Sequence, residues 1–266
     1  DNPIEIPHLE IAGSFKPESR QIDFDKFELG GPEVSLALAA SANWDSAQPS
    51  FKIRGATGRM QARPLIRLWP AFVAPASRAW FIEHVRSGQV ENARLWIDLD
   101  SEALREIAAG HGASEQNVLA EFDVNDAAMD FLPGVPPLTG IAGTGKITGT
   151  QAFFNARQGQ LVLGDKQIMS VSEGHFEVPD LDPRYATANL KAKVSGKLDA
   201  VANFLGREAL KGFGGMPIDT NVAHGQVDGN VTLDIKLHSA DLPDRVAVKV
   251  NAKVTNFVYD DLIGSE

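Results

Sequence analysis

Across residues 227–237 every odd position is apolar or glycine and every even position is polar. That period of two sends successive side chains to opposite faces, so the segment is a strand with one dry face and one wet one. Residues 186–195 follow the same rule, with Ala186, Ala188, Leu190, Ala192 and Val194 set against Thr187, Asn189, Lys191, Lys193 and Ser195. Residues 246–254 do so again, with Lys249 and Lys253 on the wet side. Similar patterns mark residues 34–44, 95–99 and 120–124, and turn signals separate strands at Gly30-Gly31, Gly164-Asp165 and Pro243-Asp244. Long antiparallel strands with one wet face are the structures that fit. The expected fold is mostly β: long, twisted antiparallel strands in a curved, groove-like sheet with short helical caps.

The chain also repeats itself at long range. Ile11-Ala12-Gly13-Ser14-Phe15-Lys16 returns 130 residues later as Ile141-Ala142-Gly143-Thr144-Gly145-Lys146. Ser87-Gly88-Gln89-Val90-Glu91-Asn92 returns as His224-Gly225-Gln226-Val227-Asp228-Gly229, and Val124, Asp130, Leu132 and Gly134 as Val254, Asp260, Leu262 and Gly264. Two tandem units are therefore expected, 1–134 and 135–266, with the boundary in Pro133-Gly134-Val135-Pro136-Pro137. The offset widens to 137 around Gly88 and Gly225 before it falls back, which places an insertion between Gly88 and Val124; residues 101–110 read as a small inserted helix.

Helical caps are expected near 64–87 and near 199–211. In the first, Leu65, Leu68, Trp69, Phe72 and Val73 form an apolar stripe that Pro70 should kink or split. Pro75 suits a first helical turn and Gly88 a C-terminal stop. In the second, Asp199 is placed to cap a helix carrying Val201, Phe204 and Leu205 and ended by Gly206, with another turn at 207–211. Trp69, Phe72, Trp80 and Phe81 read as a lid over the end of the apolar face; a membrane-facing or partner-facing role is the alternative.

Repeated units usually build an extended surface by stacking, whereas a catalytic centre is normally built once. A net charge of −10 argues against nucleic acid and against electrostatic docking on anionic membranes, so any lipid contact must be apolar. With no cysteine there is no disulfide, thiolate metal site or cysteine nucleophile. The sequence has no apolar run near 18 residues, and its start lacks the basic and hydrophobic regions of a signal peptide.

Motifs that carry chemistry fail on inspection. Gly140 to Lys146 has the glycine and lysine spacing of a phosphate loop, but Ile147 stands where a magnesium-binding hydroxyl is required, and the flanking pattern is a strand. The histidines at 8, 84, 111, 175, 224 and 238 show no helical metal spacing. Asp123, Asp126, Asp130, Asp180 and Asp182 lack the glycine and terminal glutamate of a calcium loop and read as solvated edges and turns. No catalytic, cofactor-binding or metal-binding residue is expected, and the chain is read as no enzyme.

Leu68-Trp69-Pro70-Ala71-Phe72-Val73-Ala74-Pro75-Ala76-Ser77-Arg78-Ala79-Trp80, then Glu83-His84 and Gly88-Gln89-Val90, resemble the AsmA-like envelope proteins, in the branch of the YhdP and TamB types. The second half is similar to that branch too, at Ala192-Lys193-Val194-Ser195-Gly196-Lys197-Leu198-Asp199 and at Pro136-Pro137-Leu138-Thr139-Gly140-Ile141-Ala142-Gly143-Thr144. The resemblance implies a periplasmic β-groove with a greasy interior that conducts phospholipid between inner and outer membranes. It also implies a longer parent chain with an inner-membrane anchor and neighbouring repeat units. On this reading the partners are phospholipid acyl chains and those neighbouring units, and no nucleic acid.

The alternating strands point the same way, since a curled sheet with an apolar concavity is one solution for so much one-sided grease. Val227, Val231, Leu233, Ile235, Val248, Val250 and Val254 are the candidate groove residues. Two other readings stand beside this one. One is a structural or interaction repeat protein of the envelope with a closed β core, and the other, less favoured, is a carbohydrate-active enzyme with paired carboxylates.

Overall fold

In a computed structural model, the structure describes residues 3–45, 47–69, 75–109, 111–131, 134–164, 167–181, 186–207, 219, 222–237 and 246–260, with backbone alone at 75–77. The first strands are β1 (His8–Lys16), β2 (Gln21–Gly30), β3 (Ser35–Asn43), β4 (Ser50–Thr57) and the short β5 (Met60–Gln61). Helices α1 (Ala62–Leu68) and α2 (Pro75–His84) follow, then β6 (Val85–Leu99), α3 (Ser101–Ala108) and β7 (Val118–Met129). The chain continues through β8 (Leu138–Thr148), β9 (Ala152–Val162), β10 (Ile168–Val178), β11 (Thr187–Lys197), α4 (Leu198–Leu205), β12 (Ala223–Lys236) and β13 (Val246–Tyr259).

All thirteen strands belong to one curved, open, antiparallel sheet. Each strand pairs with the next in sequence, except that β4 pairs with β6 and β5 adds to β6 beside it. Such a meander needs only short connections, the kind that antiparallel neighbours allow. Segments 11–16 and 141–146 lie in β1 and β8. Strand β8 opens a run of four strands, a helix and two further strands; β1 opens a similar run that also carries the two-residue β5 before its helices and α3 between its last two strands. The Val135-Pro136-Pro137 segment joins β7 to β8 without breaking the sheet, because those two strands pair along their length. Helix α3 falls in the expected insertion.

The packed core sits at one end of the strands. There α1 folds onto the apolar face, where Leu29, Val34 and Met60 are buried against Leu65, Leu68 and Phe27. Helix α4 does the same further along, burying Leu198, Ala200 and Val201 against Leu161, Met169 and Val227. Both helices are short and are held by this packing, since segments of seven and eight residues do not persist alone.

Two local expectations are corrected. Gly88 does not end a helix. Helix α2 stops at His84, and Gly88 lies inside β6 at φ 143°, where a Cβ would come within 2.7 Å of the Ala127 methyl. It is a bulge glycine that lets β7 approach, and the ladder shifts register there. Nor is Asp199 the cap of α4. The N-cap is Lys197, because β11 runs straight into the helix and Leu198, fully buried, fixes its start. Asp199 sits in the first turn, where its carboxylate accepts from its neighbour Ala200 N and from Gln167. Pro70, Phe72, Val73, Leu132, Pro133, Asp165, Asp182, residues 208–211, His238, Pro243, Asp244, Leu262 and Gly264 lie outside the described residues.

Helix α3 has a genuine cap. Asp100 Oδ1 accepts hydrogen bonds from the backbone N–H groups of Glu102 at 3.0 Å and Ala103 at 2.9 Å. Asp100→Ala should lower stability by about 1 kcal/mol, with Asp100→Asn restoring most of it. Urea denaturation of the two variants checks this, and equal midpoints for all three proteins would refute the cap.

Candidate functional site

The site is a face. Reading across the ladder from β1, Ile11, Phe27, Leu38, Gly55, Leu95, Ala120, Ile147, Ala152 and Val178 stand directly opposite one another in turn. Two residues along β7 a second row begins, and Phe122, Gly145, Phe154, Phe176, Leu190, Leu233 and Val248 carry it to β13. Residues two apart on a strand share a face, so the two rows form one surface that reaches from edge to edge without a polar side chain.

The opposite face is wet and charged. Its row from β7 to β13 reads Asp123, Thr144, Asn155, His175, Lys191, Thr232 and Lys249. Ion pairs lace it: Lys52 with Asp98 at 3.1 Å, Lys16 with Asp23 at 3.0 Å and Lys193 with Glu173 at 2.7 Å. The hydrogen bond from Lys26 holds the Glu10 carboxyl below its usual range, and Gln21, then Lys16, do the same for Asp23. Exposed pairs of this kind add little to stability, so their role is to keep this face solvated.

All seven predicted groove residues lie on the apolar face of β12 and β13. Val227 stands opposite Val254, Val231 opposite Val250 and Leu233 opposite Val248, while Ile235 stands opposite Val246. The structure divides them by cover. Val227 is 2% exposed inside the α4 core, whereas Val248, Val250 and Val254 are 38%, 54% and 36% exposed. Val231, Leu233 and Ile235 are half-buried. At the other edge Leu9, Ile11 and Phe15 are more than half exposed. Sequence reasoning left this edge out, although residues 9, 11, 13 and 15 are each apolar or glycine and gave the signal.

Glycines shape the floor. Gly145, once a candidate phosphate-loop residue, lies in β8 under the Phe122 ring, where an added Cβ would meet it at 2.2 Å. Lys146 points to the wet face, 4.0 Å from Glu121. The aromatic residues of the α1–α2 region pack on one another: Trp80 stands edge-on to Phe81 at 5.2 Å and stacks on His84 at 4.6 Å, and Phe81 also meets Trp69.

Polar convergence is scant. Among the described residues the one cluster with three possible ligand atoms is His8, Glu10 and Glu28, and Lys26 Nζ stands 2.8 Å from Glu10 and 3.3 Å from Glu28. A recess of about 720 Å³ beside α3 is acidic, and two of the carboxylates that line it have structural work. Asp100 caps the helix, and Glu106 lies 2.7 Å from His111. Asp123 accepts from Asn92 and Asp130 from Arg86. Among the described residues no helix is long and apolar enough to cross a membrane.

Against known families, the model described as YhdP protein matches residues 1–263. The chain belongs to the YhdP family. It is thus an AsmA-like envelope protein by family, and the open, mostly β sheet fits that membership. Neither a curated protein nor a solved structure matches it. The segments through which the sequence resembles the family include the strand-to-helix passage of β11 and α4, which builds part of the core that covers one end of the apolar face.

Proposed function

We propose that the apolar face is a groove that binds phospholipid acyl chains and conducts them between the inner and outer membranes, as a periplasmic segment of an envelope protein anchored in the inner membrane. One observation carries the reading: apolar rows run across the whole sheet, and helices α1 and α4 cover them at one end of the strands. Hydrocarbon is the natural occupant of such a surface, because each methylene removed from water gains about 0.8 kcal/mol. Partial burial of one acyl chain then suffices to hold a lipid without any cationic anchor, which suits a chain of net charge −10. Membership of the YhdP family supports an envelope setting, and the engagement of Asp100 and Glu106 in structural contacts agrees with a role that is not catalytic. A closed β core would need Val248 and Val250 packed away from water, and both are open. Neighbouring units of a longer chain would extend the same floor.

Photo-reactive side chains at Val231, Leu233 and Val250, with Asp234 and Lys249 on the wet face as controls, test this in envelope-located protein. The expected result is lipid captured at the three apolar positions and not at the controls. No capture from a folded protein, or equal capture on both faces, would remove the conduit.

A further inference from the structure

The glycine-rich stretch of β8 is not a phosphate loop, and its glycines still need a reason. A glycine inside a strand weakens it, since it brings no side chain to pack and loses the most freedom on ordering. Two glycines stand in the apolar rows, Gly55 in β4 and Gly145 in β8. Each has a large residue directly opposite, Leu38 for Gly55 and Phe122 for Gly145.

In both pairs the large side chain lies across the glycine. A Cβ added at Gly145 would collide with three atoms of the Phe122 ring, and one added at Gly55 with the end of the Leu38 side chain. The first obstacle is in each case a side chain, whereas at Gly143 it is the backbone carbonyl of Asn155. Gly145 is buried, while Phe122 and Leu38 are only half-buried, so part of each covering side chain stays open to whatever lies on the face.

A packed core favours the reverse arrangement. Close packing is reached with large side chains that stand up from facing positions and interlock, and a glycine among them leaves a gap. Beneath a groove, a side chain laid flat over a glycine keeps the floor low and leaves room above it.

We infer that Phe122 and Leu38, laid down over Gly145 and Gly55, set the depth of the apolar groove and hence how much hydrocarbon it takes. They are specificity-determining residues, and glycine is required opposite each to keep it down. Their role rests on the groove reading and adds to it the residues that fix its capacity. Both pairs lie inside the sheet, between strands that are themselves paired on both sides.

Native mass spectrometry of phospholipid carried by protein extracted from a bacterial envelope tests this. Gly145→Ala should hold at least threefold less lipid than the native chain, because the added methyl group lifts the Phe122 ring into the groove. Phe122→Ala should hold as much as the native chain. The double variant Phe122→Ala/Gly145→Ala should also return to that level, since no ring is left to be lifted. Gly55→Ala, alone and with Leu38→Ala, repeats the comparison at the second place, and circular dichroism confirms that each variant is folded. A ring over a glycine also steadies a sheet. Were that its whole role, lipid would be unchanged in folded Gly145→Ala, or would be lost in Phe122→Ala and stay lost in the double variant; either result overturns the inference. A native chain without lipid removes the groove reading and this role with it, whereas equal loading of the native chain and Gly145→Ala removes this role alone.

Discussion

Leu198→Ala is expected to lower the stability of the chain by about 2–5 kcal/mol, the range for truncating a fully buried leucine. Leu198 has no exposed surface and stands at the centre of the α4 core, with Leu161, Met169, Val201 and Val227 buried around it. Its side chain fixes the start of the helix and fastens that helix over the sheet, so the cavity left by alanine weakens both. Leu161, Met169 and Val227 belong to strands already paired on both sides and can relax little into the gap. Val250→Ala makes the contrast, because Val250 is 54% exposed and should cost far less. Urea denaturation of the two variants decides it, and a loss at Leu198 below about 1 kcal/mol would mean that α4 is not the anchor described.

Val250→Asp should reduce phospholipid bound to the protein by at least tenfold while leaving the fold intact. The side chain lies on the apolar face of the edge strand β13, opposite Val231, so a carboxylate there remains wet in the empty protein. Once hydrocarbon lies on the face, that carboxylate loses water without gaining a partner. Burying an unpaired ion costs several kcal/mol, and about 1.4 kcal/mol already corresponds to a factor of ten. Leu233→Asp should reduce lipid similarly, but at a half-buried site it should also lower the melting temperature. Native mass spectrometry of protein extracted from a bacterial envelope reads the bound lipid, and circular dichroism reads the fold. Unchanged lipid occupancy in folded Val250→Asp would sink the groove reading.

The strand signals carried furthest because they are local. Alternation at 186–195, 227–237 and 246–254 appears as β11, β12 and β13, and the wet and dry sides fall where the period of two places them. Helix α3 was legible because the shift in repeat offset between Gly88 and Val124 singled out residues 101–110, and the helix lies at 101–108. Gly88 was misread because glycine after a helical stretch is compatible with a helix stop and with a bulge. The choice was made by Ala127, a residue on another strand. Asp199 was misread for a related reason: the helix start is set by the burial of Leu198, which local capping preference does not register.

The sequence alone determined which side chains share a face, since that follows from backbone period and needs no partner. The tertiary structure decided how much of the face stays open. Val227 and Val250 are equivalent by pattern, yet one is sealed beneath α4 and the other stands in solvent at the edge of the sheet. Nothing in either valine's neighbourhood along the chain separates them. Exposure depends on what packs across from a residue, and the residues that bury Val227 come from α4, β9 and β10, brought to it only when the sheet assembles.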